Sequence, residues 1–251
     1  MAQLRLTLDL GNTSLKAVLW RGDDKVAATR LLHETPKLEP SFAKRAASCE
    51  SAVAVASHGV RERRPPSLAC LEAALAHGTK IAWVGVDLEP PGSVAYDDPR
   101  ELGIDRRLAV LGARRDHETG LIVDCGTAVT LTHFDAALNI RPLAIGIGRA
   151  ALERGIATSA PALAPFLGAA LPQGLPRGTR DNLAIGVEIA FDAALRGLVA
   201  DAEARLAAIG LPAAPLLLTG SDATRALRAL SGALIVEDLV HRGLLALTLR
   251  R

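Results

Sequence analysis

One short pattern occurs twice in this chain and restricts its fold more than any other feature. Residues 6–13 read as an apolar strand that runs into Asp9-Leu10-Gly11-Asn12-Thr13. Residues 120–128 read as another, running into Asp124-Cys125-Gly126-Thr127-Ala128. The two aspartates stand 115 positions apart. Further two-residue alternation follows each turn: Leu15, Ala17 and Leu19, then Val26 and Ala28, after the first, and segments 129–133 and 140–147 after the second. Asp and Gly are common turn residues, so one such turn carries little information. Two with matching flanks predict an internal duplication, with similar α/β lobes at 1–117 and 118–251 and a central cleft between them.

The remaining pattern fills in both lobes. A helix is expected near 39–50, a strand at 52–56, a helix after Pro65-Pro66, a strand at 81–86 and a helix over 99–115. Beyond the second turn come helices at 148–157 and 180–209, a strand at 215–218, and helices at 222–230 and 237–249. A chain of 251 residues can bury the core that this requires.

Several function classes fall away on composition and motif. With 29 basic and 27 acidic residues the net charge is +2, which gives no general attraction to nucleic acid or to a membrane surface. No apolar run approaches the roughly 20 residues that span a bilayer. The first residues enter a strand with none of the marks of a signal peptide, so a cytoplasmic protein is expected. Three cysteines without CxxC spacing fit a reducing compartment. Neither GxSxG nor GxxxxGK[ST] occurs, which argues against an α/β-hydrolase and a P-loop kinase.

Phosphate chemistry fits the repeated turn. A glycine lets the backbone approach a ligand, and free amides beside Asn12 and Thr13 offer donors to phosphate oxygens. A carboxylate at the strand end, Asp9, suits Mg²⁺ held through water, and Lys16 can add a point charge. The turn from Asp124 to Thr130 repeats the donor set with Gly126 and Thr127. Between the two, Gly103-Ile104-Asp105-Arg106 opens a helix; there the acid can accept a hydroxyl proton while the arginine orients an anionic group, or the two can simply pair at a helix start. Thr219-Gly220-Ser221-Asp222 follows an apolar strand and can present amides to a nucleotide or serve as a plain N-cap.

The order of these motifs resembles that of the type III pantothenate kinases, from residue 6 to about residue 246. The resemblance rests on Asp9-x-Gly-Asn-Thr-x-x-Lys16, Tyr96, Gly103-x-Asp-Arg106, Asp124-x-Gly-Thr-Ala-x-Thr130, Thr179, Thr219-Gly220 and Asp238-Leu-Val-x-x-Gly-Leu244. It implies an acetate and sugar kinase/actin-like fold of duplicated ribonuclease H-like lobes, and ATP-dependent phosphorylation of pantothenate. It also implies that the segment Asp9, Leu10, Gly11, Asn12, Thr13, Ser14, Leu15 and Lys16, with Thr127, binds ATP, and that Asp9 serves Mg²⁺. Asp105 would be the general base, and Tyr96, Gly103, Ile104, Arg106 and Thr179 would join it around pantothenate. Asp124 would hold a monovalent cation, K⁺ or NH₄⁺, and the protein would be a homodimer. The chain departs from the family pattern at Thr132, where an aspartate is usual, and over 141–148. A non-catalytic accessory relative and a kinase for another small acceptor are the alternatives.

Overall fold

A computed structural model describes residues 3–49, 51–57 and 60–248. The chain divides into two units, Met1–Asp116 with Leu239–Arg251, and His117–Asp238. In the first, β1 (Leu4–Leu10), β2 (Ser14–Arg21) and β3 (Asp24–Leu32) form an antiparallel meander. After α1 (Pro40–Ala46), β4 (Ser51–Ala56) lies parallel to β1. Helices α2 (Val60–Arg63) and α3 (Pro66–Glu72) lead to β5 (Ile81–Trp83), parallel to β4, which completes the order β3-β2-β1-β4-β5. The two-residue strand β6 (Ser93–Val94) and α4 (Ile104–Ala113) follow.

The second unit repeats this plan. Strands β7 (Gly120–Cys125), β8 (Ala128–Phe134) and β9 (Asn139–Ile147) are antiparallel neighbours. Helices α5 (Arg149–Ser159) and α6 (Thr179–Ala208) precede β10 (Leu216–Thr219), which lies parallel to β7. Then α7 (Ala223–Ala226) leads to β11 (Leu234–Ile235), parallel to β10. Within this unit the order is β11-β10-β7-β8-β9, which matches the first sheet strand for strand. The duplication expected from the paired Asp-x-Gly turns is therefore present in the topology.

Strand periodicity decides which way the aspartates face. Leu6, Leu8 and Leu10 join Ala52 and Ala54 in a core with Phe42 of α1 and Leu68 and Leu71 of α3. Thr7 and Asp9 consequently belong to the opposite face of the sheet, where Val53 and Val55 pack against Leu108 and Leu111 of α4. In the second unit Leu121, Val123 and Cys125 pack with Phe191, Leu195 and Val199 of α6. That leaves Ile122 and Asp124 on the face away from α6.

From sequence the second lobe runs to residue 251, but in the structure the second unit ends at Asp238. The last helix, α8 (Leu239–Thr248), returns to the first unit and lies across α4. Glycines permit this crossing: a Cβ on Gly243 would collide with the Leu108 carbonyl, and one on Gly112 with that of Leu239. Leu244 and Leu247 fill the core beside Val53 and Val55, and His241 Nδ1 stands 2.9 Å from Thr7 Oγ1. Burial of this apolar stripe is what detaches α8 from the preceding lobe.

Other differences are local. The expected helix over 99–115 begins as a 3-10 turn, Pro99–Glu101, with Asp98 accepting from the Arg100 amide at 3.0 Å, and α4 starts only after Gly103. The strand expected at 81–86 stops at Trp83, and of the helix expected over 222–230 only α7 forms. The expected helix ends at residues 50 and 249 lie outside the described residues.

Candidate functional site

Asp9 is the penultimate residue of β1 and pairs across the ladder with Lys16. That register brings Lys16 Nζ to 4.0 Å from Asp9 Oδ2, with the lysine side chain largely in solvent and the aspartate mostly covered. Burial pushes the Asp9 carboxyl above its ordinary range, Lys16 opposes this, and the charge of Asp105 adds to it. Two carboxylates from distant parts of the sequence thus sense one another on the α4 face of the sheet. The intervening turn is closed by a bond from the Gly11 amide to the Ser14 carbonyl at 3.0 Å. Asn12, Thr13 and Lys16 are exposed, whereas Leu10 and Leu15 are completely buried. Ser14 is buried too, its Oγ accepting from Arg30 Nε at 3.0 Å. A ligand at this turn can therefore meet the side chains of Asn12, Thr13 and Lys16, while Leu10 and Leu15 anchor the strands behind it.

Asp105 lies in the first turn of α4 and is exposed. Gly103, the residue before the helix, makes room for it: a Cβ there would collide with Asp105 Oδ1. Arg106 is buried at 8% exposure. The Ile104 side chain packs in the core beneath α4 and against Gly85, so it holds the helix start. Tyr96 lies half-buried in the bend before the 3-10 turn.

In the second unit Asp124 is framed by hydroxyl-bearing neighbours. It pairs with Thr130 on the antiparallel side and with Thr219 on the parallel side. Thr132, next but one along β8, is 2% exposed. The turn that follows is closed by backbone contacts from Gly126 N to the Ala128 carbonyl at 3.1 Å and from Gly148 N to the Thr127 carbonyl at 3.2 Å. Gly148 must be glycine-sized, because a Cβ would collide with the Gly126 and Thr127 carbonyls. Gly220 crowds Asp124 from the other side. Thr127 is exposed, and Thr179 is the exposed first residue of α6, with Gly178 rather than Thr179 in the capping position. Asp222 occupies the capping position of α7 without a side-chain cap, its amide donating to the Cys125 carbonyl at 3.0 Å.

Three further groups of polar residues hold these units together internally, two of them through partners too distant in sequence to leave a local signal. His33 follows β3 and reaches the first turn, with Nε2 at 2.8 Å from the Gly11 carbonyl and Nδ1 at 2.7 Å from Ser67 Oγ. Glu188, buried in α6, accepts from Arg149 Nε at 2.8 Å and from Arg225 and Arg228. Although burial opposes it, these guanidiniums hold the Glu188 carboxyl below its ordinary value. Asp135 caps the turn between β8 and β9, accepting from the amides of Ala137 and Asn139 and from Arg141 Nη1 at 2.9 Å. It belongs to that turn and does not replace the acid missing at 132. Burial pushes the thiols of Cys49 and Cys125 up to about 11 and about 12, so neither serves as a thiolate at neutral pH.

Both units share one topology, each closing its first hairpin behind an Asp-x-Gly turn, which makes this a duplicated α/β fold. A Campylobacter jejuni protein described as a Baf family transcriptional activator has the same fold, with a TM-score of 0.57 over 98% of each chain at 20% identity. The chain belongs to the type III pantothenate kinase family, whose model matches residues 5–201. A type III pantothenate kinase of Halorhodospira halophila is 32% identical over 95% of this chain and 97% of its own length. Another, from Aromatoleum aromaticum, is 28% identical over 95% of each chain.

Proposed function

We propose that this chain transfers the γ-phosphoryl group of ATP to the primary hydroxyl of pantothenate, giving 4'-phosphopantothenate for coenzyme A synthesis. Membership of the family, over residues 5–201, is the observation that carries this reading. The residues fit a divalent ion and a nucleotide. Asp9 is a carboxylate whose charge is disfavoured by burial and by Asp105, a penalty that a nearby cation relieves. Exposed Asn12, Thr13 and Lys16 beside it supply donors and one positive charge for phosphate.

Bound MgATP supplies the phosphoryl group and a metal ion that spreads its negative charge. The chain's own part is positioning and proton transfer. Lys16 and the Gly11–Thr13 turn hold the phosphates. Asp105 accepts the proton of the attacking hydroxyl, and Gly103 leaves space for its carboxylate. Arg106 pairs with the acceptor's carboxylate, and Tyr96 bounds the acceptor. Asp124, with the hydroxyls of Thr130 and Thr219 on either side, offers oxygen donors to K⁺ or NH₄⁺.

Exposed Ile145 and Ile147 on β9 and Ile189 on α6 support a homodimer. No helix among the described residues is long and apolar enough to cross a membrane, and all three cysteines are free, which supports a cytoplasmic location.

The test is ADP release in a coupled assay with ATP, Mg²⁺ and pantothenate, with and without K⁺ or NH₄⁺. Asp105→Asn should lower kcat by about 10²–10⁴-fold, in line with loss of a general base, while nucleotide binding and folding persist. Near-normal turnover in that variant refutes the role of Asp105. Absence of ADP from the wild-type chain under every condition points instead to a non-catalytic relative.

A further inference from the structure

The first phosphate turn owes its shape to a residue outside the motif. Gly11 and Thr13 both direct their carbonyls toward residue 33: Gly11 O lies 2.8 Å from His33 Nε2, and the His33 amide donates to Thr13 O at 3.1 Å. A carbonyl oxygen only accepts, so Nε2 carries the proton, and in the neutral ring Nδ1 accepts from the Ser67 hydroxyl at 2.7 Å. Ser67 is fully buried at the start of α3, which fixes the ring from behind. The chain contains no cis peptide bond among its described residues. In a trans peptide the C=O and the following N–H point in opposite directions. Anchoring the Gly11 carbonyl on His33 therefore turns the Asn12 amide the other way, away from His33. Without that anchor the Gly11–Asn12 peptide is free to rotate, because Gly11 imposes little on its own backbone.

We propose that His33 is a positioning residue of the nucleotide site: by holding the Gly11–Asn12 peptide, it keeps the exposed Asn12 with its amide directed away from His33 as a phosphate donor. This rests on the proposed nucleotide role of the Asp9–Lys16 turn, but on no property of the acceptor. Losing the anchor costs one donor in its bound orientation. The affinity for nucleotide should fall, and binding of pantothenate should not.

The experiment compares wild type, His33→Ala, His33→Gln and Ser67→Ala. Calorimetric titration with MgADP gives the Kd, steady-state kinetics gives KM for each substrate, and thermal unfolding checks the fold. His33→Ala should weaken MgADP binding and raise KM for ATP by roughly five- to tenfold, the worth of one net hydrogen bond, with KM for pantothenate unchanged. His33→Gln, whose side-chain amide can still donate to the Gly11 carbonyl, should recover most of the loss. Ser67→Ala should show a smaller change in the same direction. Equal Kd in wild type and a folded His33→Ala overturns the proposal, as does a KM increase shared by both substrates. If His33→Ala does not fold, the other two variants decide it. Affinity near that of wild type in His33→Gln together with weaker binding in Ser67→Ala upholds the proposal, and any other pair of results overturns it. A wild type that binds MgADP but does not phosphorylate pantothenate removes the acceptor assignment alone. A wild type that binds no nucleotide removes both.

Discussion

Gly220→Ala probes the second turn with an internal control. Gly220 has φ 90°, a region where a side chain is strained, and faces Asp124 at the end of β10. A Cβ would collide with Asp124 Oδ1 and lie 2.6 Å from the carbonyl carbon and oxygen of Cys125. The Asp124 carboxylate can swing aside, but the Cys125 backbone cannot move cheaply. Its side chain is completely buried, and its carbonyl accepts from the Asp222 amide. Gly232 in the same unit has φ 87°, and a Cβ there would meet nothing within 4 Å. Gly232→Ala thus carries the backbone penalty alone, about 1–2 kcal/mol. Gly220→Ala carries that and a clash worth about 1–3 kcal/mol more, as for overpacking in a core.

Urea unfolding of both variants gives the difference from the midpoints at constant m. The kinetics should separate them further. A displacement of Asp124 on the order of 1 Å should cost Gly220→Ala about 10²-fold in kcat and blunt its response to K⁺. Gly232→Ala should keep wild-type kcat. Equal destabilisation and equal turnover in the two variants would refute both the steric account and the importance of the Asp124 position.

Three further outcomes follow from the charges. Asp9 is held above its ordinary value of 3.8, so the folded chain binds a proton that the unfolded chain releases, and stability falls as pH rises from 3.8 through the raised value. Asp9→Asn should therefore raise the Tm of the ligand-free protein at neutral pH while abolishing activity; a lower Tm contradicts this. For Asp135 burial pushes upward, but bonds from Asn139 and Arg141 bring its carboxyl to about 2, below 3.8. Its contribution is complete above 3.8 and lost as pH falls toward about 2, and Asp135→Ala should remove about 1–2 kcal/mol of stability at pH 7, seen in urea midpoints, with little effect at pH 2. Glu188→Gln leaves three guanidiniums around a neutral amide and should cost about 2–4 kcal/mol in urea unfolding, less than for a fully buried pair because Arg225 and Arg228 are partly exposed.

What could be seen in the sequence was whatever the chain says locally. Two-residue alternation before Asp9 and Asp124 placed both acids on a strand end, and the repeat gave the second lobe its topology. A motif taken whole mixes surface and core side chains. Leu10, Leu15 and Ile104 stand in it beside exposed residues, yet their side chains pack in the core, and apolar character alone marked them so. His33 was missed because its partners, Gly11 and Ser67, lie 22 and 34 positions away. Glu188 is separated from its arginines by 37 to 40 positions, so no window around α6 reveals the network. The return of α8 depends on Gly112 and Gly243 meeting at a helix crossing, and each looks like an ordinary helix-weakening glycine until the other is beside it.

Duplication also gives one backbone plan to both proposed ion sites. Asp9 and Asp124 occupy equivalent positions, each paired antiparallel with the second strand and parallel with the fourth of its sheet. Their neighbours differ. Asp9 faces Lys16 and Val55, whereas Asp124 faces Thr130 and Thr219. Beside Asp9 a mobile cationic side chain and an apolar one leave the carboxylate to act through charge, which suits a hydrated divalent ion and phosphate. Beside Asp124 two hydroxyls add neutral oxygen donors within one ladder step, which suits a singly charged ion stripped of part of its water. Replacing Thr130 and Thr219 with valine keeps the strand shape and removes those donors. The proposed monovalent activation should then disappear while MgADP binding at the first turn persists, and retained K⁺ activation in that double variant would detach the cation from Asp124.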